Sequence, residues 1–233
     1  LGSNVQNTHF FELEGIANGF LSNEAPVMTN VTTLDTMFIE GDYGERDSRI
    51  SYFGRISYNF KEKYLVTASL RRDGSSRFGQ NYRFGYFPAI SAGWTVSEEN
   101  FFQPVGWLGY LKIRASWGRN GKEPTRRQLY RARVTSENRY YNFGIQNVGT
   151  SPALIANPNL KWEASQQLNI GFDSRFINNF RFTFDWYKKT SKDWIVPTNV
   201  PGISGIDGIS SELPQRNIGN VVNTGVEIEL GYA

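Results

Sequence analysis

The chain has 233 residues, of which 15% are aromatic, with 23 glycines and no cysteine, and this composition excludes a small disulfide-stabilised domain. The formal net charge of +3 comes from basic residues scattered along the sequence, so nucleic acid is not an expected partner. The weakly charged stretch 194–206 is interrupted by prolines and glycines, which excludes a membrane-spanning helix there.

Alternation of apolar and polar residues with period 2 predicts strands along most of the chain, because successive side chains of a strand point to opposite faces. In the third predicted strand, Tyr64, Val66 and Leu70 alternate with Thr67 and Arg71. Eight strands are predicted, near residues 5–16, 49–60, 63–73, 86–97, 110–119, 160–176, 179–191 and 217–233.

The alternation divides the strand residues between an apolar face and a polar face. In a transmembrane barrel the first would face lipid and the second the lumen. Predicted lipid-facing residues are Tyr64, Val66, Leu70, Phe182, Phe184, Trp186, Ile228 and Leu230. Predicted lumen-facing residues are Arg55, Arg71, Arg114, Arg181, Asp185, Glu227 and Glu229. These charges could line a ligand path or pair with a segment that plugs the lumen. The favoured interpretation is the hydrated interior that large barrels have whatever they carry.

The connections between the predicted strands alternate in length. The links at 61–63 and 177–179 are tight and the link 98–109 is moderate, whereas 17–48, 74–85, 120–159 and 192–216 are long and rich in Gly, Asn, Pro and Ser. Outer-membrane barrels have short periplasmic turns and long extracellular loops. The predicted fold is therefore all-β, an antiparallel transmembrane β-barrel with about eight strands in this chain.

Aromatic residues lie where two membrane interfaces would require them. Tyr58, Phe60 and Tyr64 flank the first tight turn, and Trp117 and Trp162 lie at the loop ends of their strands. Tyr and Trp collect at membrane–water interfaces, although aromatic residues also favour strands in general. The placement beside turns favours two aromatic girdles.

Specific strings along the chain resemble the SusC/RagA family of TonB-dependent outer-membrane transporters. They are YFGRISY at 52–58, KYLVTASLRRDGSSRFG at 63–79, GYFP at 85–88, SAGW at 91–94, LKIRASWG at 111–118, NPNLKWE at 157–163, NIGNV at 217–221 and NTGVE at 223–227. The strings occur in the family's order, which makes the resemblance specific. The first 48 residues and the loop near 120–150 resemble the family only in kind.

The resemblance implies that these eight strands are a fragment of a larger barrel of about 22 strands closed by a plug. It places that barrel in the outer membrane of a Bacteroidetes-type Gram-negative bacterium. It further implies coupling to TonB–ExbB–ExbD through an N-terminal region, a SusD-like surface lipoprotein as partner, and import of glycans or peptides. Residues 1–233 are expected to be part of one barrel domain in contact with outer-membrane lipid. The plug and the TonB box are expected outside this chain.

No enzyme activity and no cofactor is expected. His9 is the sole histidine and cysteine is absent, so the usual zinc sets and Cys-His pairs cannot be assembled. The DGSSR string at 73–77 lacks the spaced acidic residues of a calcium loop and is interpreted as a turn, so no metal site is expected.

Substrate contacts are expected in the long loops, where aromatic rings and cations could stack on sugars or bind peptide. The candidate residues are Arg77, Tyr82, Arg139, Tyr140 and Tyr141. Two other functions remain open from the residues alone, a soluble carbohydrate-binding β-sandwich and an autonomous small barrel acting as an adhesin.

Overall fold

A computed structural model describes residues 1–10, 12–16, 38–42, 46–102, 107–135, 141–142, 146–147, 151–177, 179–201 and 213–232. Its strands are β1 Gly2–His9, β2 Glu12–Ile16, β3 Phe38–Asp42, β4 Arg46–Phe60, β5 Tyr64–Ser75, β6 Phe84–Thr95, β7 Leu108–Lys122, β8 Arg133–Thr135, β9 Tyr141–Asn142, β10 Gln146–Asn147, β11 Ser151–Leu154, β12 Glu163–Phe176, β13 Phe180–Lys192, β14 Ile195–Pro197, β15 Gln215–Asn217 and β16 Asn220–Tyr232. Two short 3-10 turns, Gln80–Tyr82 and Val96–Glu98, lie between strands.

Eight of these strands form one sheet in the order β1-β4-β5-β6-β7-β12-β13-β16. From β4 to β16, neighbouring strands of this sheet pair in antiparallel orientation. Seven predicted strands coincide with β4, β5, β6, β7, β12, β13 and β16 to within about three residues at each end. The all-β antiparallel fold class predicted from alternation is therefore confirmed.

The first predicted strand, 5–16, differs from the structure. Residues Gly2–His9 belong to the main sheet, whereas Glu12–Ile16 pairs with β3, from Glu12 opposite Asp42 to Ile16 opposite Phe38. No glycine or proline interrupts residues 5–14, so the sequence carries no local signal for a break. By contacts the chain divides into two compact units, residues 1–5 with 49–233 and residues 6–48.

The tight turn between β4 and β5 contains three residues, 61–63, because Phe60 is opposite Tyr64. Lys61 and Glu62 both have positive φ, 52° and 59°, as a type I′ turn requires. The Lys63 amide donates to the Phe60 carbonyl at 3.0 Å, and the Glu62 amide donates to Asn59 Oδ1 at 3.0 Å. A left-handed conformation costs a non-glycine residue roughly 1–2 kcal/mol, so this turn carries strain that the sheet holds in place.

The tight turns join the strands at one end, which is called the turn end. The long connections join them at the other end, which is called the loop end. Fully buried apolar side chains lie at the loop end, among them Phe78, Leu129, Leu154 and Leu160. The apolar face of the sheet is solvent-exposed, for example Ile56 at 75% and Ile228 at 65%. Among the described residues, no helix has the length and apolarity to cross a membrane.

Candidate functional site

A three-residue ion cluster lies on the polar face of the sheet. Arg114 of β7 contacts Asp173 of β12 through Nε at 3.0 Å and through Nη2 at 3.2 Å. The same Nη2 donates to Asp185 of β13 at 2.7 Å, and Thr183 Oγ1 donates to Asp173 at 3.2 Å. One guanidinium thus joins three strands, using the planar fork that suits paired carboxylates.

Gly171 makes this cluster possible. It lies on β12 opposite Arg114 on one side and opposite Asp185 on the other, so the Arg114 side chain crosses a position that has no side chain. A Cβ at Gly171 would lie 2.5 Å from the Phe184 carbonyl oxygen and would collide with the Asp185 carboxylate. Glycine is therefore required here for the close approach of neighbouring groups.

The polar face continues on both sides of the cluster. Towards the loop end, Gln167 Nε2 donates to Asn169 Oδ1 at 2.7 Å, and Asn169 Nδ2 donates to Ser116 Oγ at 3.1 Å. Towards strand β16, the register sets Glu227 opposite Asp185 and Glu229 opposite Thr183. This face therefore combines fixed hydrogen-bonding groups with two exposed carboxylates at β16.

The polar face presents carboxylate, guanidinium and amide groups that can form hydrogen bonds. Within the described ranges, no group of three or more His, Cys, Asp or Glu residues could hold a metal ion. Arg71 pairs with Asp73 at 3.2 Å and is 58% exposed, so water screens this pair and it adds little stability.

A second polar cluster stabilises the loop end. Arg77 Nη1 donates to the carbonyl oxygens of Pro124 at 2.7 Å and Thr125 at 3.0 Å. Ser75 Oγ donates to Glu123 at 2.7 Å, and Glu123 also pairs with Arg77 at 3.7 Å and with Arg49. The Arg77 side chain is 11% exposed. Asp73, Gly74 and Ser75 are the last residues of β5, so the turn predicted at 73–77 begins only at Ser76. The contacts of Ser75 and Arg77 tie the β5–β6 connection to the segment after β7.

Aromatic packing accompanies this cluster. The Trp162 ring lies 4.7 Å from the Phe78 ring and 5.5 Å from the Phe87 ring. Phe78 is fully buried, and so is Leu160 just before Trp162. The structure therefore differs from the sequence-based placement of Trp162 in an aromatic girdle, because the indole fills a local core at the loop end.

The turn end has its own cluster around Glu99. Glu99 Oε1 accepts hydrogen bonds from Tyr64 Oη at 2.5 Å and from Trp94 Nε1 at 3.1 Å, and Lys63 Nζ lies 3.5 Å from Oε2. The hydrogen bond from Tyr64, followed by that from Trp94, holds the pKa of the Glu99 carboxyl below its usual range. The Thr95 amide donates to the Lys63 carbonyl at 2.8 Å, so the tight turn and the β6–β7 connection are joined.

The register places the residues predicted for each face together. One cross-strand row of the apolar face contains Tyr64, Trp94, Ile113, Phe172, Phe184 and Ile228. By the same pairing Val66, Leu70, Phe182, Trp186 and Leu230 lie on this face, and Arg55, Arg71, Arg114, Arg181, Asp185, Glu227 and Glu229 lie on the other. Their assignment to lipid and lumen stays a prediction.

The loop candidates for substrate binding are only partly described. Tyr82 is 36% exposed beside the β5–β6 connection. Arg77 is held in the loop-end cluster, so substrate contact by its guanidinium stays a prediction that those bonds do not favour. Arg139 and Tyr140 lie outside the described residues, and Tyr141 is described only in its backbone, as part of β9.

Asp173 and Gly171 belong to the ion cluster but were not among the predicted site residues. Both follow the polar alternation of β12, which was the available signal. Alternation does not give the register between β7, β12 and β13. Only that register shows that Gly171 lies between Arg114 and Asp185.

Residues 3–233 match the family described as TonB dependent receptor-like, beta-barrel. TonB-dependent receptor P39 of Formosa agariphila is 39% identical over 181 residues, which cover 77% of this chain and 17% of that protein. TonB-dependent receptor SusC of Bacteroides thetaiotaomicron is 35% identical over 193 residues, which cover 81% of this chain and 19% of that protein.

Among solved structures, the chain is similar to that of the RagAB peptide transporter. The TM-score is 0.75 at 25% identity, and the match covers 98% of this chain and 25% of the solved chain. The chain spans about a fifth of the length of the curated relatives that it matches.

Proposed function

The chain belongs to the TonB-dependent receptor-like β-barrel family, and from this premise we propose that it is a barrel segment of an outer-membrane transporter that imports glycans or peptides. The family predicted from the sequence strings, that of SusC/RagA-type transporters, is confirmed. Because the chain spans about a fifth of its curated relatives, the activity proposed is that of a longer protein.

The observation that carries the proposal is a sheet with an exposed apolar face and a polar opposite face. Ile56 and Ile228, on strands far apart in the sheet, are 75% and 65% exposed, and Leu230 is 65% exposed. A soluble sandwich packs the apolar faces of two sheets together about 10 Å apart. In the described part of the chain this face has no such cover, and acyl chains would supply it in a membrane.

The polar face is proposed to line the lumen. The bonds joining Arg114, Asp173 and Asp185 fix three adjacent strands to one another, while Glu227 and Glu229 stay available to hydrated partners. A plug outside this chain would be one such partner, and a glycan or peptide in transit another. Both offer the hydrogen-bonding groups that a fixed polar surface recognises.

The long connections are proposed to be extracellular and to meet a SusD-like lipoprotein, with energy supplied by TonB–ExbB–ExbD through a region outside this chain. The loop-end clusters support this orientation, because Arg77, Glu123 and Phe78 hold long connections against one another. Loops that are held together in this way offer an ordered surface to which a partner protein could bind.

Two measurements on the full-length protein test the proposal. Cells that lack the gene should lose growth on a particular glycan or peptide and regain it with the intact gene. Pull-down of the tagged protein in mild detergent should recover a surface lipoprotein encoded beside it. Growth that is unchanged on every glycan and peptide tested, with the barrel recovered alone under several gentle conditions, would contradict the proposed import.

A further inference from the structure

The charged residues at the strand positions of the apolar face have one sign and lie in one half of the sheet. Glu99, which bonds to Tyr64 and Trp94 at the turn end, belongs to the β6–β7 connection and not to a strand. From Ile50 onward, the strand positions on this face include four basic residues and no carboxylate. The basic residues, all exposed, are Arg72, Arg119, Lys188 and Lys192, here called the basic belt. The opposite face mixes both signs, as in the Arg114 cluster, so the belt is not a general excess of cations.

The basic belt lies at the loop end of the apolar face. Arg72 follows Tyr64 by eight residues along β5, and Lys188 follows Phe180 by eight residues along β13. Eight residues span roughly 26 Å of strand, or about 20 Å along the membrane normal at the usual tilt. The apolar band of an outer-membrane barrel is about 25 Å tall. Arg72 and Lys188 therefore lie at the level where acyl chains give way to headgroups, and Lys192, four residues further along β13, lies on the headgroup side.

The cations of the belt are close enough to act together. Arg72 is opposite Tyr86 on β6. On the other side of β6, Gly118 is opposite Ala89 and Arg119 follows Gly118, so Arg119 lies about two residues nearer the turn end than Arg72. Two strand spacings and two residues separate Arg72 from Arg119, which is about 12 Å. Arg119 is likewise two strand spacings and two residues from Lys188 and from Lys192. Long side chains at these distances can bend towards one ligand.

Arg72 is also held in place by aromatic rings. Its guanidinium carbon lies 4.2 Å from the centre of the Phe84 ring and 5.8 Å from that of Tyr86, a cation–π arrangement. This stacking leaves the edge of the guanidinium free to bind an anion in a planar, bidentate manner. Within the described residues, the four belt cations have no carboxylate partner within 4.0 Å.

We propose that the basic belt binds the phosphate groups of a phosphorylated glycolipid in the outer leaflet, whose acyl chains lie against the apolar face below it. Phosphate supplies the charge that four clustered cations require, and Arg matches its geometry. Ile90 and Leu70, both about half exposed on the same face, offer apolar contact on the acyl side. This inference rests on the proposed membrane orientation of the sheet.

The test compares neighbouring residues on opposite faces of the full-length protein in detergent. Arg72→Gln/Lys188→Gln removes two belt charges, and Arg71→Gln/Lys189→Gln removes two charges at the adjacent positions, which face the other way. Binding of lipid A, the diphosphorylated glycolipid, is titrated by native mass spectrometry. The belt variant should bind about 30-fold more weakly, from the energy of each basic residue near an anionic lipid surface. The control should stay within about 2-fold of the unmutated protein.

Two further arms use the unmutated protein and need no variant to fold. The same lipid after removal of its phosphates should bind more weakly, and inorganic phosphate should fail to displace the intact lipid. If the dephosphorylated lipid binds as tightly as the intact lipid, the proposal is overturned. The belt cations would then only extend to the membrane interface without binding phosphate. Displacement by inorganic phosphate, or equal losses in both double variants, would overturn it as well. Cysteine labelling of the two faces tests the membrane orientation separately.

Discussion

Replacing Arg114 with glutamine removes the cation that Asp173 and Asp185 share. The guanidinium makes contacts of 3.0, 3.2 and 2.7 Å with the two carboxylates. Without it, the two carboxylates are diagonal neighbours on β12 and β13, with Asp173 opposite Thr183 and Asp185 opposite Gly171, and they lose their shared cation. A hydrogen bond to a charged group contributes about 1.5–3 kcal/mol when it is well protected. The Arg114 side chain is 38% exposed, so solvent screening reduces each contact.

The expected loss in free energy of unfolding is therefore about 2–3 kcal/mol for the three contacts together. It is measured by urea titration of the full-length barrel in lipid vesicles. Arg55→Gln is the matched control, because Arg55 lies on the same face opposite Ser69 and is exposed; it should cost less than about 0.5 kcal/mol. A double-mutant cycle with Asp185→Asn should give a coupling energy of about 1 kcal/mol or more. Equal stability of the Arg114→Gln and Arg55→Gln variants would refute the cluster as a stabilising feature.

Three further predictions follow from other parts of the sheet. Phe184→Arg should destabilise the barrel in vesicles by about 2–4 kcal/mol, whereas Thr183→Arg should cost less than half as much because the lumen can hydrate it; equal losses in urea titrations would contradict the face assignment. Lys61→Asn/Glu62→Gly should raise the free energy of unfolding by about 1–2 kcal/mol, because both positions have positive φ, which Asn and Gly adopt more readily. An unchanged unfolding midpoint would show that the turn is not strained. The pKa of Glu99 is lowered in the folded protein, so its contribution to stability is present above the ordinary carboxyl pKa and is lost as the pH falls through the lowered pKa. Unfolding midpoints measured from pH 7 downwards should fall further in the unmutated protein than in Glu99→Gln, and parallel curves would contradict the role of Glu99.

Strand positions could be predicted from the sequence because a barrel strand separates two solvents along its whole length. β13 shows this clearly, since Phe182, Phe184 and Trp186 alternate with Thr183 and Asp185, and its predicted ends are within about one residue of those observed. The tight turns were found for the same reason, because the alternation stops and restarts across only a few residues.

Contacts between distant segments could not be predicted in this way. The burial of Arg77 depends on carbonyl groups of Pro124 and Thr125, 47 or 48 residues further along the chain. The packing of Trp162 on Phe78 is equally non-local. Alternation states which face a residue occupies, but it carries no information on register or on which loops meet, so these contacts require the assembled sheet.

The break between β1 and β2 was missed for a related reason. Residues 5–14 contain neither glycine nor proline, and a continuous strand was the simplest interpretation of their pattern. Pairing of Glu12–Ile16 with Phe38–Asp42 depends on a partner more than 20 residues away. Local pattern cannot reveal a choice between two possible partners.

Cysteine labelling of Phe184 and Thr183 tests the central claim most directly, namely that the sheet separates lipid from a hydrated lumen. The chain contains no cysteine, so a single introduced thiol is read without background. In membrane-inserted full-length protein, Phe184→Cys should react with a lipid-soluble maleimide and resist a charged one, because its side chain lies on the apolar face. Thr183→Cys, beside Asp173 on the polar face, should react preferentially with the charged reagent. Equal labelling of both positions by the charged reagent would contradict the register of the sheet and its position in the membrane.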